Sequence, residues 1–147
     1  MQSILLRVGV IGAIIIGAII LRPYLSGNAG NLQVGDCFDL PDTTAEIIDD
    51  VQHRPCTDAH YGEVIFVADY EPDDAGYPSE EAFRAYENEH CTAAFTSYTG
   101  LDYLTDTVYD YATFWPTLEG WQDGDHEISC HLVRVDGAPQ TGSLKKQ

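Results

Sequence analysis

The sequence predicts an α+β chain in two parts. An N-terminal single transmembrane helix comes first, followed by a small antiparallel sheet packed on one main helix and stapled by two disulfides. Three observations carry this reading. Residues 4–21, ILLRVGVIGAIIIGAIIL, are apolar apart from Arg7, and all 24 Asp and Glu residues lie beyond them. The rest of the chain alternates β-branched and aromatic runs with one long amphipathic pattern, as expected of a sheet with a helix laid on it. Finally, the four cysteines, Cys37, Cys56, Cys91 and Cys130, form an even set with no CxxC pair.

Eighteen helical residues at about 1.5 Å each reach roughly 27 Å, close to the hydrocarbon thickness of a bilayer. Arg7 lies near one end, where its side chain can snorkel. Arg22 and Tyr24 mark the other interface, and Pro23 stops the helix. A cleavable signal peptide is the rival, with Val8 to Leu21 as its apolar core and Gly27 and Ala29 as small residues for cleavage. The expectation is an uncleaved anchor in the plasma membrane, N-terminus cytoplasmic and C-terminal domain extracytoplasmic. Gly9, Ala13 and Gly17 fall four apart, which suggests a helix-packing face toward other integral membrane proteins of a hetero-complex. Residues 1–22 are thus expected as the anchor in the lipid bilayer, 23–33 as a linker, 34–144 as the extracytoplasmic domain and 145–147 as a tail.

Beyond the anchor, five Lys and Arg (Arg54, Arg84, Arg134, Lys145, Lys146) face the 24 acids, a formal charge of −19. Phosphate would be repelled and there is no basic stripe, so nucleic acid is excluded as a partner class. The acids are spread along the chain, which reads as a solvated surface or as a docking face for a basic partner. No zinc ribbon or thioredoxin-like site is indicated, because both need close cysteine pairs. Two disulfides in an oxidising compartment are expected. Three pairings are open. The preferred one is Cys37–Cys56 with Cys91–Cys130, stapling a first hairpin-like segment and then helix to strand, each worth roughly 2–4 kcal/mol.

Gln33 to Leu40 reads as a first short strand, with Val34 and Cys37 or Phe38 inward, and Ile47 to His53 as a weak second one. Gly62 to Asp69, GEVIFVAD, has the unbroken apolar centre of a central strand. Glu71 to Pro78 is an acidic loop. Ser79 then caps a helix to Tyr98, with Glu80 and Glu81 in its first turn and Gly100 as the stop. Ala82, Phe83, Tyr86, Cys91, Ala94, Phe95 and Tyr98 make its apolar stripe. Thr107 to Trp115 suits a strand, and Pro116 to Gln122 a helical turn around Trp121. Asp123-Gly124-Asp125 is a turn, and His126 to Val135 a last strand with Ile128, Cys130 and Leu132 on one face. From Gly137 the chain reads as a tail.

These residues resemble a known pattern. VGDCFD at 34–39, PCTDAHYGEV at 55–64, YP at 77–78, Cys91, WPT at 115–117, and WQDGD with Cys130 at 121–130 are similar to the septum formation domain family. The resemblance covers about residues 34–144, with Ala59 where the pattern often has Pro and His126 where it often has Arg. It implies a bacterial envelope protein, secreted or anchored beside one span. It transfers no catalytic residue.

His60 and Glu63, three apart, are the first pair to weigh for chemistry. A histidine and a carboxylate can bind metal or move protons, but no third ligand is evident. The reading is structural, with His60 holding the Cys56 loop through the backbone. His126 and His131, five apart on a strand, point to opposite faces and cannot share a metal. Asp123, Asp125 and Glu127 do not match a calcium loop and read as a solvated turn. Tyr98, Tyr103, Tyr109 and Tyr111, with Phe114 and Trp115, read as core with polar tips and some exposed binding surface. No catalytic residue, metal or cofactor is expected, and the structural residues are His60, Glu63 and Trp121. The functional reading is a non-enzymatic, membrane-anchored accessory or scaffold protein of the cell envelope. The alternatives are a septum or wall-associated binding module, and a metal-dependent hydrolase using His60 and Glu63.

Overall fold

The computed structural model describes residues 26–41, 48, 50–72 and 76–147. The helix expected over 4–21, with Gly9, Ala13 and Gly17, lies outside them. Among the described residues no helix is long and apolar enough to cross a membrane. The fold class is corrected on that finding. The chain builds a mostly-sheet domain with one long helix, and its sheet is larger than the small one expected.

In chain order the described elements are β1 (Ser26–Asn28), β2 (Cys37–Asp39), β3 (Asp50–Arg54), β4 (Ala59–His60), β5 (Gly62–Asp69), α1 (Glu80–Thr99), β6 (Tyr109–Phe114), α2 (Leu118–Gln122), β7 (Glu127–Arg134) and β8 (Gln140–Thr141). Six strands form one antiparallel sheet in the order β1-β3-β2-β5-β7-β6, and β4 pairs with β8. The apolar run of β5 sits inside the sheet, where both faces are covered.

On one face lies α1. Ser79 Oγ accepts from Ala82 N at 3.2 Å to start it. Gly100, at φ 77°, ends it by donating to Thr96 O. The left-handed stop is open to glycine without the Cβ penalty. Ile65, Cys91, Phe95, Tyr98, Cys130 and Leu132 fill this interface, with Tyr103, Tyr109 and Tyr111 packed half-buried around it. Phe83, Trp121 and Ile128 make a second cluster under α2. The Cys91–Cys130 disulfide ties α1 to β7 (Cα–Cα 5.8 Å), and Cys37–Cys56 ties β2 to the turn before β4 (Cα–Cα 5.2 Å).

The other face is concave. β2 and β6 are three strand spacings apart, about 14 Å in a flat sheet. Yet Phe38 and Phe114 have ring centroids 5.7 Å apart. Even with side-chain reach, the sheet must curl. Two features bend β5. Ile65 is an extra residue between the Val64–His131 and Phe66–Cys130 pairs, a bulge that raises the local twist. Gly62 opposes Phe38, whose ring lies where a Cβ would stand, 2.8 Å away. Ala29, Leu32, Phe38, Val51 and Val64 fill the hollow.

Three local expectations change. Val34 is half exposed rather than inward, because the tight turn at Gly35 (φ 95°) delays the strand to Cys37. The supposed linker contributes β1 and a single 3-10 turn, Ala29–Asn31, capped when Asn28 Oδ1 accepts from Gly30 N, with Ala29 and Leu32 buried. Its Ser, Asn and Gly residues are caps and turns rather than loose chain. The stretch after Gly137, expected as a tail, is docked. Gly142 N donates to Cys56 O at 2.7 Å and Lys146 N to Tyr98 O at 2.8 Å.

Candidate docking groove

Curling brings the two sheet edges together without joining them. Between Asn28 of β1 and Thr113 and Phe114 of β6 runs a groove of about 700 Å³. Ser129 and Glu127 of β7 also line it, and α2 and its flanking turns supply one wall. Trp115, Tyr77 and Leu118, all exposed, form the lip. They are held there: Trp115 stacks on Phe83 (5.2 Å), and Tyr77 donates its hydroxyl to Pro116 O at 2.9 Å. Thr117 caps α2 by accepting from Gly120 N at 3.0 Å, which keeps Leu118 on the rim.

The groove is electronegative. Glu119, Asp123, Asp125 and Glu127 line it, and no Lys, Arg or His does so among the described residues. Glu127 is half-buried. Burial first, then the charges of Asp125 and Asp69, push its pKa up to about 7. Its Oε1 is buried with no hydrogen-bond partner among the described residues. Of the turn expected to be solvated, Asp123 and Asp125 are exposed, while Glu127 opens β7 and is partly covered by the curl. Chemically the groove offers an acceptor awaiting a donor, beside aromatic surface.

His60 and Glu63 lie elsewhere, and neither groove lining includes them. His60 is fully buried, and its Nδ1 lies 2.9 Å from Asp58 O, which braces the segment after Cys56. Glu63 is also fully buried. It accepts from Tyr98 Oη at 2.8 Å, from Leu144 N at 2.8 Å, and from Ser143 Oγ. Burial, then the bond to Glu63, holds the Tyr98 phenol well above its ordinary range. A carboxylate taken from water needs such donors, and they are what dock the C-terminal stretch. Cys37 Sγ, a ring nitrogen of His60 and a Glu63 oxygen lie within 4.8 Å of one another, but the sulfur is bonded to Cys56.

Glu63→Gln keeps one oxygen for Tyr98 and Ser143 but sets an amide NH₂ against Leu144 N–H. Stability should fall by about 1–3 kcal/mol, and the amides of Gly142 and Lys146 should exchange faster with deuterium. Unchanged protection there would place the tether elsewhere.

The remaining histidines do not converge. His126 stacks on Trp121 (3.9 Å), just before β7, and Trp121 itself is buried. His131 lies inside the curl against Phe38 (5.1 Å) and Phe114 (4.5 Å). Sequence reasoning missed Asn28, Tyr77 and Leu118 as groove residues. They meet only through the curl of the sheet, for which no short-range signal exists.

Fold and groove together define a disulfide-stapled, mostly-sheet domain with an acidic, aromatic-lipped cleft between its sheet edges. A family model described as Septum formation matches residues 34–147, and the chain belongs to that family. The resemblance read from VGDCFD, PCTDAHYGEV and WPT therefore holds. No curated protein and no solved structure matches the chain.

Proposed function

We propose that the domain is a non-enzymatic binding module of the cell envelope, acting in septum formation on the extracytoplasmic side. Its groove receives a cationic segment of a partner, a membrane or wall-associated protein of the division apparatus. The observation that carries this reading is the groove itself, which joins four carboxylates, among them Glu127 with an oxygen that has no partner among the described residues, to an exposed Trp, Tyr and Leu. Such a surface suits Lys or Arg heads with apolar stems. An extended segment can also lie between the edges of β1 and β6, the outer strands of the sheet among the described residues, and bond to them. The family description supports the division role, and two disulfides support an oxidising compartment.

The test is in-cell photo-crosslinking from position 118 on the lip, with the captured protein identified and the tagged chain imaged in dividing cells. Capture should be specific to the groove, fall with added salt, and drop by about thirtyfold in affinity for Trp115→Ala, the loss of a central aromatic anchor. Uniform distribution with no septation defect on deletion would defeat the division role. Equal capture from a position on the α1 face, such as Glu87, would defeat the groove.

A further inference from the structure

We infer that reduction of the Cys37–Cys56 disulfide converts its surroundings into a divalent-metal site, with Cys37, Cys56 and His60 as ligands and Glu63 beside them. The inference is independent of the groove and rests on three observations at one place.

The first is proximity. Cys37 Sγ, a His60 ring nitrogen and a Glu63 oxygen already lie within 4.8 Å of one another, and Cys56 Sγ is one bond from Cys37. A Cys₂His set with one open position is a zinc arrangement, closed by a carboxylate or water. The second is the state of His60. The Asp58 carbonyl can only accept, so Nδ1 carries the proton and donates to it. Nε2 therefore holds a lone pair, and it is buried with no partner among the described residues. A backbone carbonyl on one nitrogen with the other left free is how proteins orient a ligating histidine. The third is access. Cys56 is half-buried, whereas Cys91 and Cys130 are fully buried. An attacking thiolate reaches the first disulfide through Cys56 and is shut out of the second.

The exchange balances with a dithiol as reductant. Its thiolate bonds to Cys56 sulfur and expels Cys37 as thiolate. Its second thiol then releases Cys56, leaving two protein thiols and one disulfide of the reductant. Metal binding sends the two thiol protons to solvent. Cys37 emerges within 4.8 Å of a His60 ring nitrogen, so the metal would replace the lost covalent tie between β2 and the turn before β4.

The experiment uses the full chain, reduced with a phosphine, which the disulfide oxidises to its oxide while water supplies the oxygen and the two thiol protons, and which does not compete for zinc as a dithiol would. Mass spectrometry confirms that Cys91–Cys130 remains intact. Co²⁺ is the spectroscopic probe and Zn²⁺ the competitor. The oxidised chain should bind neither. The reduced chain should bind one Co²⁺ with a thiolate charge-transfer band and a strong visible band, both bleached by one Zn²⁺. Cys56→Ser should lose the charge-transfer intensity of one sulfur. His60→Gln should weaken binding by at least about tenfold, since loss of an outer partner alone costs that much. Because His60 is buried, Asp58→Pro, which keeps the carbonyl but alters the turn, serves as a second variant and should weaken binding without removing a ligand. A reduced chain that keeps its circular dichroism yet binds no metal overturns the inference. So does a reduced chain that zinc fails to refold, or metal binding that survives Cys37→Ser/Cys56→Ser.

Discussion

Replacing Cys91 and Cys130 together by alanine is expected to remove about 4 kcal/mol of stability. The bond closes a loop across 39 positions, from the middle of α1 to the middle of β7, and loop-closure entropy grows with the logarithm of that length. The corresponding pair Cys37 and Cys56 spans 19 positions and should be worth about 3 kcal/mol by the same relation. Packing widens the difference. Cys91 and Cys130 are fully buried among Ile65, Phe95 and Leu132, so losing both sulfurs also leaves a small void. Cys56 is half-buried, and its loss opens toward solvent. Against a total of about 5–15 kcal/mol for an ordinary domain, the first loss is severe. Urea unfolding of the two double variants measures both. The Cys91/Cys130 variant should unfold at the lower midpoint, with protection of the α1 amides reduced most. The reverse order would mean that strain or residual unfolded structure, rather than loop length, sets the value.

The elements that were legible in the sequence are those whose causes are local. Gly62 to Asp69 is a strand because of its own apolar run, and it is observed with those bounds. The helix is bracketed by Ser79 and Gly100, and those two residues do cap it. What could not be read depends on distant partners. The polar composition of residues 26–32 matches a linker, and only the hollow behind Phe38 gives Ala29 and Leu32 something to cover. The C-terminal stretch docks mainly through the backbone N–H groups of Gly142, Leu144 and Lys146, beside the Ser143 hydroxyl on Glu63, and backbone groups leave no trace in composition. The groove needs the curl set by the Ile65 bulge and by Phe38 over Gly62. Its residues come from both sheet edges, so no window of sequence contains it. Strand alternation applies to His131 alone, because His126 falls just before β7 and stacks on Trp121. That His131 lies fully inside is a consequence of the same curl, which turns what would be an outer face into an inner one.

That burial makes the domain acid-sensitive. His131 is enclosed by Phe38, Phe114 and Tyr61, with no hydrogen-bond partner for Nδ1 among the described residues. Desolvation lowers its pKa from 6.5 to about 3. The unfolded chain takes up a proton near pH 6.5 and the folded chain does not, so stability is fully present above 6.5 and is lost as pH falls toward 3. Each pH unit in that window should remove up to about 1.4 kcal/mol, on the order of 4–5 kcal/mol in all. Glu127 works in the opposite sense. Its folded pKa is raised from 4.5 to about 7, so its contribution is complete below 4.5 and is lost as pH rises through 7. Being partly open to water, it is the smaller effect. The two overlap between pH 4.5 and 6.5, where Glu127 blunts the acid loss, and His131 alone governs the steeper fall below 4.5. Urea titrations from pH 7.5 to 3.5 should show this shape. His131→Leu should flatten the acid limb, and Glu127→Gln should steepen the limb between 6.5 and 4.5 by removing the opposing term. An acid limb unchanged in His131→Leu would assign the sensitivity to the surface carboxylates instead of the histidine inside the curl.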